Sequence, residues 1–294
     1  MNPQLLLCFD DEQASAQALA AALQLPFGLL QRHHFPDGET RIRLPPELPE
    51  SVVLLRGLHQ PNEKLTELAI AAPAARALGA RELVLVCPYL AYMRQDIAFT
   101  PGEAVSQQHI ATMLGGLFDG LVTVDPHLHR IASLDEVMPG RRTRAVSAAP
   151  LLGAWVLQQL GPQALLLGPD EEAGQWVAAA GQANGLAHAV CRKQRFGDRE
   201  VQVVLPDLPL SGRPVVLLDD VASTGRTLVE AALALRQAGA TSVDVAVTHA
   251  LLVDDAMAQL RDAGVRHVWS SDAVPHATSV VPLAGLLAQA IRAL

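Results

Sequence analysis

The amino-acid sequence predicts an α/β protein of two similar domains, each a largely parallel sheet flanked by helices, and three observations carry that expectation. Short apolar runs alternate with stretches of helical periodicity from end to end, the signature of repeated βαβ units. The pattern restarts after the arginine-rich stretch 141–144, which divides the chain into halves of similar make-up, 1–145 and 146–282. Polar and charged motifs follow several of the apolar runs, at the strand edge where open α/β sheets hold their ligands. A closing amphipathic helix, 283–294, is expected to pack back on the first half.

Taken in order, Leu5–Phe9 reads as the first strand, and Asp10, Asp11 and Glu12 open an Ala/Leu helix whose amino terminus suits acids. Val52–Leu55 is the next strand, followed after Pro61 and Asn62 by a helix to about Leu78, then strands Leu83–Val86 and Leu121–Val124. Arg141–Arg144 reads as a connector. The second half runs as a helix from Ala149, strand Ala164–Leu167, helix Glu171–Asn184, strand Leu186–Val190 and strand Val215–Leu218. Helix Thr227–Leu235 follows, with Leu228, Ala231, Ala232 and Leu235 on one face. Strand Val243–Thr248, helix Asp254–Ala263 and strand His267–Ser270 complete the series.

Composition narrows the function classes. A length of 294 residues suits one large or two medium domains. Half of the residues are hydrophobic, yet no run approaches the roughly 18 apolar residues that span a bilayer. No basic leader or signal-peptide core is present, so a cytoplasmic protein without membrane contact is expected. A net charge of −8 argues against a nucleic-acid surface, which needs a basic stripe. Cys8, Cys87 and Cys191 are odd in number and sit in apolar runs, as structural thiols in a reducing compartment do. Lys64 and Lys193 are the only lysines against twenty arginines, which draws attention to both.

The motif on which the chain is organised is PVVLLDDVASTGRTLVEAALAL, from Pro214 to Leu235: strand, loop, helix. Ser223, Thr224, Gly225 and Thr227 suit a phosphate cup at a helix amino terminus, where N–H groups lack partners. Asp219 and Asp220 would repel phosphate, so they face ribose hydroxyls or a cation, or else simply cap and charge-complement the next helix. FPDGE at Phe35–Glu39 reads locally as a turn. Arg94, Gln95 and Asp96 follow a strand end and two tyrosines, and the arginine fork suits a nucleotide. Asp125, His127 and His129 at the next strand end fit a metal, a phosphate or plain surface residues. Asp170 to Glu172 in GPDEE cap a helix cheaply. Arg192, Lys193, Arg195 and Arg199 lie in a polar segment that is either a solvated hairpin or a cationic loop over phosphates in transfer. No Walker A string and no GxGxxG occurs.

Read together, FPDGE, PNEKLTEL, PYLAYMRQD, DPHLHRI, GPDEE, the Lys193/Arg195 pair and DDVASTGRT resemble, in order and over nearly the whole length, the ribose-phosphate diphosphokinases. The compact FTPGEAVS after RQD looks like the archaeal-type members. The resemblance implies two phosphoribosyltransferase-type domains, the first binding ATP and the second ribose 5-phosphate. It implies ATP contacts from Phe35, Asp37, Glu39, Arg94, Gln95 and Asp96, and a Mg2+ site touched by His127 and Asp170. Lys193 and Arg195 would act in catalysis, and Asp219, Asp220, Ser223, Thr224, Gly225, Arg226 and Thr227 would hold ribose 5-phosphate. It further implies a homo-oligomer. Three positions depart from the family pattern: Ile97 stands where a basic residue usually follows RQD, Arg226 replaces a loop glycine, and Ser223 replaces an aspartate. A phosphoribosyltransferase would need one such domain without FPDGE or RQD, and a regulatory relative would lose catalytic-loop charges that Lys193 and Arg195 retain.

Overall fold

The computed structural model describes residues 2–196 and 200–294, with the side chains of 193–202 outside the description. The chain divides into two compact units, 1–146 together with 283–294, and 147–282. No helix among the described residues is long and apolar enough to cross a membrane.

Unit 1 holds strands β1 (Leu5–Phe9), β2 (Phe27–His34), β3 (Thr40–Arg43), β4 (Ser51–Leu55), β5 (Glu82–Cys87), β6 (Gly120–Val124) and β7 (Arg142–Val146). Helices α1 (Gln13–Leu23), α2 (Pro61–Ala77) and α3 (Ser106–Leu117) connect them. The sheet order is β3-β2-β1-β4-β5-β6-β7, parallel throughout except for the β2–β3 hairpin. Unit 2 runs α4 (Ala149–Leu160), β8 (Leu165–Gly168), α5 (Gly174–Asn184), β9 (Ala187–Val190), the ribbon β10 (Arg192–Phe196) and β11 (Glu200–Val204), β12 (Pro214–Ala222), α6 (Arg226–Gln237), β13 (Ser242–Ala250), α7 (Ala256–Asp262), β14 (Val265–Ser271) and β15 (Ser279–Val281). Its all-parallel sheet has the order β15-β14-β13-β12-β8-β9, and β10–β11 is a separate antiparallel pair.

Both sheets follow from the apolar runs. A parallel strand covered by helices on both faces must be apolar at every position, because alternate side chains enter opposite layers. Val215 and Leu217 pack with α6, whereas Val216 and Leu218 pack with α4 and α5 around Trp176 and Leu152. In unit 1 the largest core gathers Leu7, Leu54 and Leu85 with Leu68 of α2 and Leu114 of α3.

The strands that the apolar pattern did not reveal are edge or near-edge strands. Phe27–His34 and Thr40–Arg43 form a hairpin with FPDGE as its tip, and only Leu30 in it is buried. The stretch 141–144, read as a connector, is corrected in part to β7: its half-exposed positions need no apolar side chains, and Arg142 instead donates to Glu82 at 2.5 Å. Ser106–Leu117 and Ser279–Val281 were likewise not read as elements.

The two sheets share one plan. Strands β2-β1-β4-β5-β6-β7 match β9-β8-β12-β13-β14-β15 in order and direction, so the strand order reverses between β1 and β4 in one unit and between β8 and β12 in the other. The last helix, α8 (Ala284–Arg292), packs on α1 as α4 packs on α5. Leu287 and Ile291 of α8 are buried, Arg292 donates to Ala22 O at 2.6 Å, and Arg144 donates to Ala293 O at 2.9 Å.

At the reversal point of unit 1 the guanidinium of Arg56, just past β4, is fully buried. It donates to Asp11 Oδ1 at 2.6 Å, to Glu12 Oε2 at 3.0 Å and to Glu67 of α2, and it lies 4.5 Å from the centre of the Phe9 ring. Arg32 of β2 extends the cluster through Asp10 and through Glu67 Oε1 at 2.8 Å. Lys64 donates to Gly57 O at 2.9 Å and contacts His59, and burial together with the charges of Lys64 and Arg56 pushes the His59 imidazole down to about 4.

The placement of α8 predicts a selective effect. Ile291→Ala removes a fully buried side chain from unit 1 and should cost about 2–5 kcal/mol. All three tryptophans, Trp155, Trp176 and Trp269, belong to unit 2. The urea midpoint read by far-ultraviolet circular dichroism should therefore fall, and tryptophan fluorescence, which reads unit 2 alone, shows whether that unit follows; an unchanged dichroism midpoint would contradict the packing role of Ile291.

Candidate functional site

The chemistry-bearing residues of unit 2 collect at its reversal point. Gly168 ends β8, and Asp170 caps the following 3₁₀ turn by accepting from Glu172 N at 3.1 Å. On the neighbouring strand, Asp219 and Asp220 lie inside β12, which runs on to Ala222. They are therefore not caps of α6: the residue at that position is Gly225, in the left-handed region at φ 71°, where glycine is at ease. The cap position makes no side-chain bond, so the first-turn N–H groups of α6 are presented toward the loop that carries Ser223 and Thr224.

The electrostatics of this edge are unusual. Burial raises the Asp219 carboxyl well above the ordinary carboxylate range, and the charges of Asp220 and then Asp170 push it further. Asp220 N donates to Asp219 Oδ1 at 2.9 Å, which favours the ionised form but only partly offsets the rise. Carboxylates side by side at a strand edge can accept from sugar hydroxyls or contribute to holding a hard divalent cation.

Unit 1 gathers two loops on adjacent strands. After β5 the chain passes through Tyr92, at φ 67°, whose hydroxyl donates to Asn62. Arg94 is exposed, Gln95 half-buried and Asp96 buried. The start of α3 pins this loop: Gln107 N donates to Gln95 O at 3.2 Å, buried Gln107 Nε2 to Met93 O at 3.2 Å, and Ser106 to the Gln95 side chain. Asp96 accepts from Arg130 Nη1 at 2.6 Å, so its carboxylate faces the loop after β6. In that loop Asp125 is buried at φ 35°, and the His127 and His129 rings stack with centroids 6.4 Å apart.

Phe35, Asp37 and Glu39 sit at the tip of the β2–β3 hairpin. Phe35 N donates to Glu39 O at 2.8 Å, Glu39 N to Asp37 Oδ1 at 3.1 Å, and the Phe35 ring meets His33 edge-on at 4.8 Å. These three residues lie at the hairpin edge of the sheet, away from the β5 and β6 ends within unit 1. His127 and Asp170 belong to different units. Among the described residues no three of His, Cys, Asp and Glu cluster as a metal cage. The side chains of Lys193 and Arg195, and Arg199 entirely, lie outside the described residues; the backbone of 192–196 is one strand of the β10–β11 ribbon. Arg130, Ser106 and Gln107 were not singled out from the sequence; Arg130 directly follows His129 in the quoted DPHLHRI string, and no periodicity marks it.

Residues 5–117 match the model of the N-terminal domain of ribose phosphate pyrophosphokinase, and residues 201–293 that of the phosphoribosyl synthetase-associated domain. A ribose-phosphate pyrophosphokinase of Methanopyrus kandleri is 36% identical over 93% of this chain and 94% of its own length. Ribose-phosphate pyrophosphokinase 2 of Archaeoglobus fulgidus is 33% identical over 94% of this chain and 96% of its own. The chain belongs to the ribose-phosphate pyrophosphokinase family. The resemblance drawn from the ordered motifs, including its archaeal character, is thereby borne out, and the chain is an enzyme of that family. The fold is shared with phosphoribosylpyrophosphate synthetase from Mycobacterium smegmatis, at a TM-score of 0.84 and 24% identity over 99% of this chain and 98% of that one.

The Asp219 environment predicts a pH-dependent stability. A carboxyl whose folded pKa lies above its unfolded value costs nothing while both states are protonated, and it destabilises the fold progressively as pH rises through the folded value. Asp219→Asn keeps the bond from Asp220 N and removes that cost, so the variant should melt higher than the parent at neutral pH and match it below about pH 4. Melting curves across this range that show equal midpoints at neutral pH would refute the assignment.

Proposed function

We propose that this enzyme transfers the β,γ-diphosphoryl group of MgATP to the 1-hydroxyl of ribose 5-phosphate, giving 5-phosphoribosyl 1-diphosphate and AMP. The observation that carries this reading is the pairing, at one reversal point, of mutually repelling carboxylates Asp219 and Asp220 with the hydroxyl-rich loop and amino terminus of α6. Phosphate and vicinal hydroxyls need opposite chemistry a few ångströms apart, and a sugar phosphate presents both. Ser223, Thr224, Gly225, Arg226 and Thr227 would take the 5-phosphate through hydroxyl and backbone donors, and Asp219 and Asp220 would accept from the ribose hydroxyls.

Phe35, Asp37, Glu39, Arg94, Gln95 and Asp96 are assigned to ATP, Asp96 through its loop rather than by direct contact because Arg130 occupies its carboxylate. Mg2+ fits the acidic character of the unit 2 edge, and His127 and Asp170 would hold it, where it would neutralise diphosphate charge. In the transfer the 1-hydroxyl oxygen bonds to the β-phosphorus and releases its proton to solvent, as the bond from that phosphorus to the α,β-bridging oxygen breaks and AMP departs with the bonding pair. Little covalent chemistry falls to the protein, so positioning and charge neutralisation carry the rate, and in-line holding of two substrates is worth roughly 7–11 kcal/mol. Lys193 and Arg195 are assigned the transferring group. The family resemblance also supports a homo-oligomer working on soluble small molecules in the cytoplasm.

AMP release from ATP, Mg2+ and ribose 5-phosphate tests the reaction itself: formation of 5-phosphoribosyl 1-diphosphate is expected, and its absence would favour a regulatory relative. Thr227→Val should weaken ribose 5-phosphate binding by roughly ten- to a hundredfold, the equivalent of one bond to a charged group at about 1.5–3 kcal/mol. ATP affinity should hold in the same calorimetric titrations, and equal loss for both ligands would contradict the cup.

Lys193→Ala should lower kcat by on the order of a hundred- to a thousandfold while both KM values change little, as loss of a transition-state contact does. A lysine on a solvated ribbon would cost only about 0–1 kcal/mol. Steady-state kinetics with dichroism as the folding control decide between them, and turnover within about threefold of the parent would return Lys193 to the surface role.

A further inference from the structure

We infer that Arg130 is a positioning residue that locks the loop carrying Arg94 and Gln95 to the loop carrying His127; the inference rests on the nucleotide and metal assignments proposed above. The two loops leave the carboxyl ends of adjacent parallel strands, β5 and β6, whose ladder continues to a bond from Val124 N to Pro88 O at 3.3 Å. Beyond that bond, side-chain contacts help to keep the two loops in register.

Asp96 supplies one half of the lock. Its side chain is 2% exposed, a poor place for a carboxylate without a cation, and Arg130 Nη1 donates to its Oδ1 at 2.6 Å. The other carboxylate oxygen, Oδ2, is buried and makes no hydrogen bond, with His129 Nδ1 3.7 Å away. Arg130 therefore supplies the bonded counter-charge that lets Asp96 sit under the nucleotide loop. Removing the arginine leaves a buried charge, and the loop must move to hydrate it.

The same nitrogen supplies the other half. Arg130 Nη1 lies 2.9 Å from His129 Nδ1, so its two hydrogens point to Asp96 and to the imidazole, and His129 Nδ1 acts as acceptor with the ring hydrogen on Nε2. The His129 ring lies nearly parallel to His127, at 18°. A continuous chain of contacts thus runs from Asp96 through Arg130 and His129 to His127. Arg94 and Gln95 stand at one end, with Gln95 held by Ser106 and Gln107 from α3. The role of Arg130 is to set the spacing between the nucleotide contacts and the metal contact, and it touches neither ligand itself.

The test uses the full-length enzyme with Arg130→Met, Arg130→Lys, Asp96→Asn and the Asp96→Asn/Arg130→Met pair. Arg130→Met should lower kcat/KM for ATP by about ten- to a hundredfold, the scale of a small misplacement near the chemistry, and raise the free Mg2+ needed for half-maximal rate. KM for ribose 5-phosphate should stay within about twofold, because that ligand is assigned to unit 2. Arg130→Lys, which retains charge and donors, should recover most of the loss, and the double variant should be no worse than the weaker single one. Unchanged ATP and Mg2+ dependence in Arg130→Met, or equal loss toward both substrates with a lower melting midpoint, would overturn the inference. If the parent enzyme releases no AMP, the reaction proposed above falls. MgATP affinity by calorimetry then still decides the lock: a tenfold loss in Arg130→Met supports it, while equal affinity in parent and variant, or no MgATP binding by the parent, overturns it.

Discussion

The arrangement on which unit 1 depends is the burial of a guanidinium at the point where its strand order reverses. Arg56 is wholly buried, and a charge there is tolerable because Asp11, Glu12 and Glu67 accept from its two Nη groups while Phe9 offers a ring face; its Nε makes no hydrogen bond among the described residues. Those partners come from the end of β1, the turn after it and α2, so one side chain ties together the elements that flank the crevice. Arg32 carries the same network to the root of the β2–β3 hairpin, whose tip holds Phe35, Asp37 and Glu39. Removing Arg56 would leave Glu12 and Glu67 buried without their shared cation, so this side chain couples the crevice to the hairpin root.

The corresponding crevice of unit 2 is built on the opposite electrostatic plan. Where unit 1 places Arg56 after β4, unit 2 places Asp219 and Asp220 on β12, and burial together with the charges of Asp220 and Asp170 raises the Asp219 carboxyl above the ordinary carboxylate range. The strand plan is the same in both, and even the helix packed on the first crossover helix is matched, α8 on α1 and α4 on α5. One reversal point pairs a buried guanidinium with three carboxylates and the other places carboxylates side by side, so a shared scaffold carries side chains of opposite charge at this point in its two copies. This asymmetry is carried by a handful of side chains at strand ends, since the apolar strands themselves are interchangeable in character.

Position of the strand-end loops is set by polar contacts from neighbouring elements rather than by the strands. Gln107, nearly fully buried at the start of α3, fixes Met93 and Gln95, and the hydroxyl of Tyr92 reaches Asn62 on α2. Tyr92 and Asp125 both hold left-handed backbone, a conformation that side-chain-bearing residues adopt only where surrounding contacts impose it. Loops held this way combine rigid placement with polar, solvent-facing groups, the property that binding and transfer chemistry requires.

The family and the α/β class were legible in the sequence because both rest on local information: apolar runs bounded by polar turns, and strings such as FPDGE, PYLAYMRQD and DDVASTGRT in a set order. Several strand ends were legible too, so Arg94 to Asp96, Asp125 to His129 and Asp170 were read beyond a strand end, whereas the strand read as Val215–Leu218 runs on through Asp219 and Asp220 to Ala222. The polar strands at the unit 1 edges were not, since β2, β3 and β7 bury one face or less and can be written in polar residues. Only the folded chain decided that Arg56 is a core residue, that Lys64 serves the buried cluster, and that Asp219 and Asp220 lie within a strand instead of capping a helix. It also decided that Arg130 reaches Asp96 across 34 positions of sequence. Each of these depends on which strands become neighbours, and that choice is made by long-range packing, to which the periodicity of any single segment is blind.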